Sequence, residues 1–144
     1  MRKATVVIAV IGLVLCLASC SGMTTSGGSV KAGHSANAGV LEVSHAKANG
    51  TTVRDVAEDD VELDGIVSPG DVLEVDLTLA VGKGSFKIEL LGQDGQVTLT
   101  LEARDGETLA GHGQIVVDDS GDVPYRVTAV EAENVDYYME YWMP

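Results

Sequence analysis

Hydrophobic and polar residues alternate along much of this chain. Leu73, Val75, Leu77, Leu79 and Val81 are separated by Glu74, Asp76, Thr78 and Ala80. A period of two puts the five apolar side chains on one face of a strand, and no helix can gather them on one side. The period returns in Phe86-Ile88-Leu90, Val97-Leu99-Leu101, Ile115-Val117, Tyr125-Val127-Ala129 and Val135-Tyr137-Met139-Tyr141. Turn signals separate the runs at Asn49-Gly50, Ser68-Pro69-Gly70, Asp94-Gly95, Asp105-Gly106, Asp119-Ser120-Gly121 and Glu133-Asn134. This spacing predicts an all-β domain, an antiparallel β-sandwich of about eight or nine short strands, jelly-roll-like.

Asp94-Gly95 tests the pattern. A two-residue hairpin loop there places Leu90 opposite Leu99, Ile88 opposite Leu101 and Phe86 opposite Ala103. Every apolar residue then falls on one face, with Lys87 against Glu102 and Glu89 against Thr100 on the other. Asn49-Gly50 is read as a second hairpin, joining 40–47 to 51–57; it also completes an Asn-Gly-Thr glycosylation acceptor, which the hairpin explains better. The same two-residue loop at Asp105-Gly106 would throw Ile115 and Val117 out of phase. A longer loop, or a bulge at Gly111-His112-Gly113, is expected instead.

The start of the chain differs. Arg2 and Lys3 precede an apolar run over residues 4–17, about fourteen residues where a permanent spanning helix needs roughly twenty. A positive start, a short apolar stretch and small residues after it make a secretory signal peptide. Leu17-Ala18-Ser19-Cys20 resembles the lipobox of bacterial lipoproteins. The resemblance implies cleavage before Cys20, lipidation of its sulfur, and loss of Cys16 with the signal peptide. Stable attachment takes more than one acyl chain, as a diacylglyceryl group supplies. The division expected is a signal peptide at 1–19, the lipidated cysteine and a flexible Gly/Ser-rich tether at 20–39, and the sandwich at 40–144. By the same resemblance, the protein is extracytoplasmic and anchored in the cell membrane or outer membrane, Ser21 favouring the outer one. Asp94-Gly95, the stretch 121–127 and the closing 135–142 look like the jelly-roll modules of secreted bacterial proteins, such as pre-peptidase C-terminal domains.

The formal charge of −13 repels phosphate backbones, so nucleic acid is not an expected partner. Without Cys16, and with Cys20 acylated, neither a disulfide nor a thiolate nucleophile is available. Histidines 34, 45 and 112 are the only imidazoles. His34 falls in the tether, and a catalytic zinc at His45 or His112 would need carboxylates that the sequence does not place. His112, between two glycines, reads as a turn or bulge residue. No Gly-x-Ser-x-Gly elbow and no phosphate-binding glycine loop occurs. The chain is therefore expected not to be an enzyme.

Two features could take a ligand. Asp118, Asp119 and Asp122 gather hard oxygens in one turn, as Glu58-Asp59-Asp60 do elsewhere. Neither run fits an EF-hand, and calcium in the first is the one cofactor considered. In the last strand Asp136, Tyr138, Glu140 and Trp142 form a row opposite the core row. Tyr138 and Trp142 are then a contact patch, unless Trp142 folds over an edge or end of the sandwich. The function expected is a lipid-anchored envelope structural or interaction module, meeting an envelope protein or glycan. The alternative is a carbohydrate- or peptide-binding sandwich assisted by calcium.

Overall fold

The computed structural model describes residues 22–34, 38–53, 55 and 67–144. The stretch expected as a signal peptide, Cys20 and Glu58-Asp59-Asp60 lie outside them. Six strands follow in order: β1 (Met23–His34), β2 (Ala38–Val53), β3 (Val72–Leu91), β4 (Val97–Arg104), β5 (Thr108–Val116) and β6 (Tyr125–Trp142). All pairings are antiparallel, in the order β1-β2-β6-β3-β4, with β5 also on β3. The all-β sandwich is as expected. Its strands are fewer and longer, because two of the anticipated breaks, Asn49-Gly50 and Glu133-Asn134, and a third at Gly84 bend a strand without ending it.

Strand β3 shows how a bend works. Its core residues sit at odd positions from Leu73 to Val81 and at even positions from Phe86 to Leu90, so one extra residue must separate the two runs. A bulge between Lys83 and Ser85 supplies it. Gly84 has φ +77, and a Cβ there would stand 2.2 Å from the Glu131 carbonyl oxygen. Neighbouring strands change phase at the same level. β2 is bulged between Ala48 and Gly50, and β6 carries positive φ at Glu131 and Asn134. Asn49-Gly50 is thus a bulge and not a hairpin, and Glu133-Asn134 does not break its strand. An Asn or Gly at positive φ serves a bulge as readily as a turn.

The aligned bends fold the sheet into two layers. One holds the first half of β3, pairing β5 from Val72↔Val116 to Ala80↔Thr108. The other holds its second half, pairing β4 from Ser85↔Arg104 to Leu91↔Val97. Asp105-Gly106 is therefore a corner between layers, and the phase conflict disappears because β4 and β5 are not hairpin partners. Gly111-His112-Gly113 is not bulged: β5 keeps one register throughout. Its glycines instead admit β4, since a Cβ on Gly113 would meet the Leu99 Cβ at 2.6 Å. From Leu90 outward the Asp94-Gly95 hairpin has the expected register, including Leu90↔Leu99 and Lys87↔Glu102; next to the turn a bulge sets Leu91 against Val97 in place of Thr98. Asp94 and Gly95 both have positive φ, as a primed turn requires.

The segment expected as a tether is largely strand. β1 pairs with β2 from Met23↔Gly50 to His34↔Gly39, and the Thr51 amide donates to the Gly22 carbonyl at 2.9 Å. Only Met23 of β1 belongs to the buried core. An edge strand held by its backbone needs no alternating apolar face, so composition carries no trace of it.

Candidate functional site

Register puts the two rows of β6 where their alternation requires. Val135, Tyr137, Met139 and Tyr141 are buried; Asp136, Tyr138, Glu140 and Trp142 point outward. On one side they face Ala80, Thr78, Asp76 and Glu74 of β3, and on the other Ser44, Glu42, Val40 and Ala38 of β2. Beyond β3, β5 sets His112 against Asp76 and Gln114 against Glu74. Period two on four adjacent strands thus collects carboxylates and two aromatic rings on a single solvent-facing sheet.

His112 organises this face. Its Nδ1 stands 2.8 Å from Asp76 Oδ1 and its Nε2 2.8 Å from Glu74 Oε2. Gln114 Nε2 donates to the second Glu74 oxygen, also at 2.8 Å. Ionised carboxylates only accept hydrogen bonds, so both ring nitrogens must donate and the ring is an imidazolium. Hydrogen bonds to Asp76, then Glu74, accordingly raise the His112 pKa above its ordinary value. The Trp142 ring lies 5.9 Å from the imidazole, tilted by 43°, at the range of a cation–π contact. Trp142 is half-buried against this group on the outer face; Tyr138 is more open, at 40% exposure. An imidazolium with both nitrogens committed to carboxylates has no lone pair to act as a general base.

The aspartate turn has another occupation. Asp118 Oδ1 accepts the backbone amides of Ser120 and Asp122, each at 2.9 Å, so this carboxylate closes its own loop. The loop borders a depression of about 540 Å³ that Asp94 and Asp119 also line. Among the described residues no group of three or more His, Cys, Asp or Glu side chains is arranged to hold a metal ion. Calcium at Asp118, Asp119 and Asp122 therefore finds no geometric support. A second depression, about 590 Å³ at the strand bends, is lined by Lys47, Lys83, Glu131 and Glu133 among others; its balanced charges select no ligand.

A polar chain inside the core was not anticipated. The His45 Nε2 meets Asp55 Oδ2, and the Tyr137 hydroxyl donates to that same oxygen at 3.0 Å. The hydroxyls of Tyr125 and Tyr137 stand 3.0 Å apart; since Tyr137 has spent its proton on Asp55, Tyr125 donates. Burial pushes the Tyr137 hydroxyl well above the ordinary tyrosine range, and the charges of Tyr125 and Asp55 add to the rise. One signal was available: His45 shares the odd, inward parity of Leu41 and Val43. Asp55 offered none.

No protein-family model matches the sequence, and no curated protein matches it. Solved structures share the β architecture at low identity. A protein of Bacillus endospore appendages that form disulfide-linked pili is 10% identical, with 83% of this chain and 93% of that one covered and a TM-score of 0.42. The CBM22-1 xylan-binding domain from Paenibacillus barcinonensis is 14% identical over 87% of each chain, with a TM-score of 0.38. Peruvianin-I, a cysteine peptidase from Thevetia peruviana latex, is 7% identical over 85% of this chain, with a TM-score of 0.38. The chain spans 62% of the peptidase's length. Likeness at this level says nothing of activity or ligand.

Proposed function

We propose that this chain is a lipid-anchored, extracytoplasmic bacterial lipoprotein whose sandwich is a non-enzymatic envelope interaction module. Contact is made through the outer face that carries Tyr138, Glu140 and Trp142. The placement of Trp142 is the observation that supports this reading: the only tryptophan of the chain stands half-open on the outer face of the sheet and not in the core. Rings of this kind, with an apolar body and a polar edge, concentrate binding energy at interfaces. The anchor rests on the lipobox-like Leu17-Ala18-Ser19-Cys20.

Tyr138 and Trp142 lie four positions apart on one strand, roughly 13 Å at the usual rise per residue. That spacing along one strand favours a second reading, in which an extended glycan or peptide lies along β6. Titrating the protein with envelope proteins, peptidoglycan fragments and neutral glycans while following Trp142 fluorescence tests both readings. A saturable shift with one of them, lost in Tyr138→Ala, is expected. A signal that none of them moves would remove the face as a contact site. Mass spectrometry of the membrane fraction should find acyl chains on Cys20, and Cys20→Ser should release the protein.

A further inference from the structure

The polar chain between the layers carries chemistry that the outer face does not use. His45 comes from β2, Tyr125 and Tyr137 from β6, and Asp55 from just beyond β2. The Asp55 side chain is wholly covered and His45 is 9% exposed. Asp55 Oδ2 takes both available donors, His45 and Tyr137. Its other oxygen, Oδ1, is buried and has no hydrogen-bond partner. A carboxylate removed from water needs both oxygens satisfied, and the His45 contact, made at Oδ2, leaves Oδ1 unmet.

A cation held by both oxygens of the Asp55 carboxylate satisfies Oδ1 together with Oδ2, which a hydrogen bond to Oδ2 does not. The atoms gathered here are one imidazole nitrogen, a carboxylate and a phenol oxygen, a mixed nitrogen and oxygen set suited to first-row transition metals. Ligands bound side by side at about 2.0–2.2 Å from one ion stand roughly 3 Å apart. Tyr137 Oη and Asp55 Oδ2 already stand 3.0 Å apart. Phe86, fully buried, has its ring 6.3 Å from that of His45 and 6.0 Å from that of Tyr137, walling the cluster with apolar surface. Tyr125, donating to Tyr137, orients it as an outer partner orients a ligand.

We propose that His45 Nε2, the Asp55 carboxylate and the Tyr137 oxygen form an inter-layer site for a single first-row transition-metal cation. Imidazole and phenol bind a metal in their deprotonated forms, so uptake releases protons and affinity rises with pH. The site is independent of the outer face and of the lipid anchor.

The test uses the full chain, stripped with a chelator and titrated with Zn²⁺ and, separately, with Fe³⁺ supplied as its citrate complex. One equivalent of at least one ion should bind and raise the melting temperature. The ferric form, if it is the one taken up, should show a visible phenolate charge-transfer band that Tyr137→Phe abolishes. Asp55→Asn and His45→Gln should each weaken binding at least tenfold. Failure of the wild-type protein to bind either ion at one equivalent would overturn the site, whatever the variants do. So would tight binding that survives both Asp55→Asn and His45→Gln, or binding abolished instead by His112→Gln.

Discussion

His112 and Glu89 show two opposite couplings between a side chain and pH. The His112 pKa is raised by Asp76 and Glu74, so its contribution to stability is fully present below the ordinary value of 6.5 and fades as pH rises through the higher folded value. Above it, one ring nitrogen loses its proton and turns a lone pair toward a carboxylate. Trp142 fluorescence, sensitive to the neighbouring imidazolium, should change with a single transition above pH 6.5, and His112→Gln should abolish the transition. A pH-independent signal in the wild-type protein would contradict the bridged imidazolium. Glu89 runs the other way. A 2.7 Å bond from Arg126 Nε lowers its pKa from 4.5, so stability from this pair is present above that value and is lost as pH falls through the lower folded one. Arg126 is partly exposed, and Arg126→Ala should lower stability modestly in a denaturant melt, and less at acid pH. The two rows of β6 were legible in the sequence because period two assigns faces without tertiary knowledge. The His112 bridge was not, because Glu74 and Asp76 reach it from another strand.

Among the elements, the β3–β4 hairpin was legible in its register from Leu90 outward, since a tight turn and two alternating strands leave one consistent pairing there. Ile88 is fully buried and Lys87 lies on the other face. Ile88→Ala should therefore cost about 2–5 kcal/mol and Lys87→Ala less than about 1 kcal/mol; equal losses in denaturant melts would reverse the faces. The bends were illegible for a related reason. A glycine or asparagine between two alternating runs marks a change of phase, and a change of phase is produced by a hairpin or a bulge alike. Only the pairing of Lys83 and Lys47 with Glu133 on opposite sides of β6 shows that the strands continue. Gly84→Ala tests this directly. The backbone there is left-handed and the Glu131 carbonyl occupies the space of a Cβ, so a loss of roughly 1–3 kcal/mol from backbone strain alone should appear in thermal melts. A neutral substitution would mean that the strand does not bend at this residue.

At the scale of the whole molecule, the edge strand changes how an anchored protein would sit. A tether running to residue 39 would let the domain move freely above a bilayer. With β1 beginning at Met23 and Gly22 held by Thr51, the lipid proposed on Cys20 would stand two positions before Gly22 in the sequence. The chain is strongly acidic, at −13 overall, and anionic headgroups repel it over a Debye length of about 8 Å at physiological salt. If Cys20 carries the proposed anchor, so few intervening residues would hold the domain within that range. The acylated protein in anionic vesicles should therefore melt at a lower temperature than in zwitterionic ones at low salt, and added salt should close the gap. Inserting a Gly/Ser linker between Gly22 and Met23 should close it as well, without altering the melt of the detergent-solubilised protein. Deleting residues 23–34 should instead lower stability in every medium, because it bares the edge of β2 and uncovers the site of Met23. Equal melting in the two vesicle types at low salt would show that the domain stands clear of the surface.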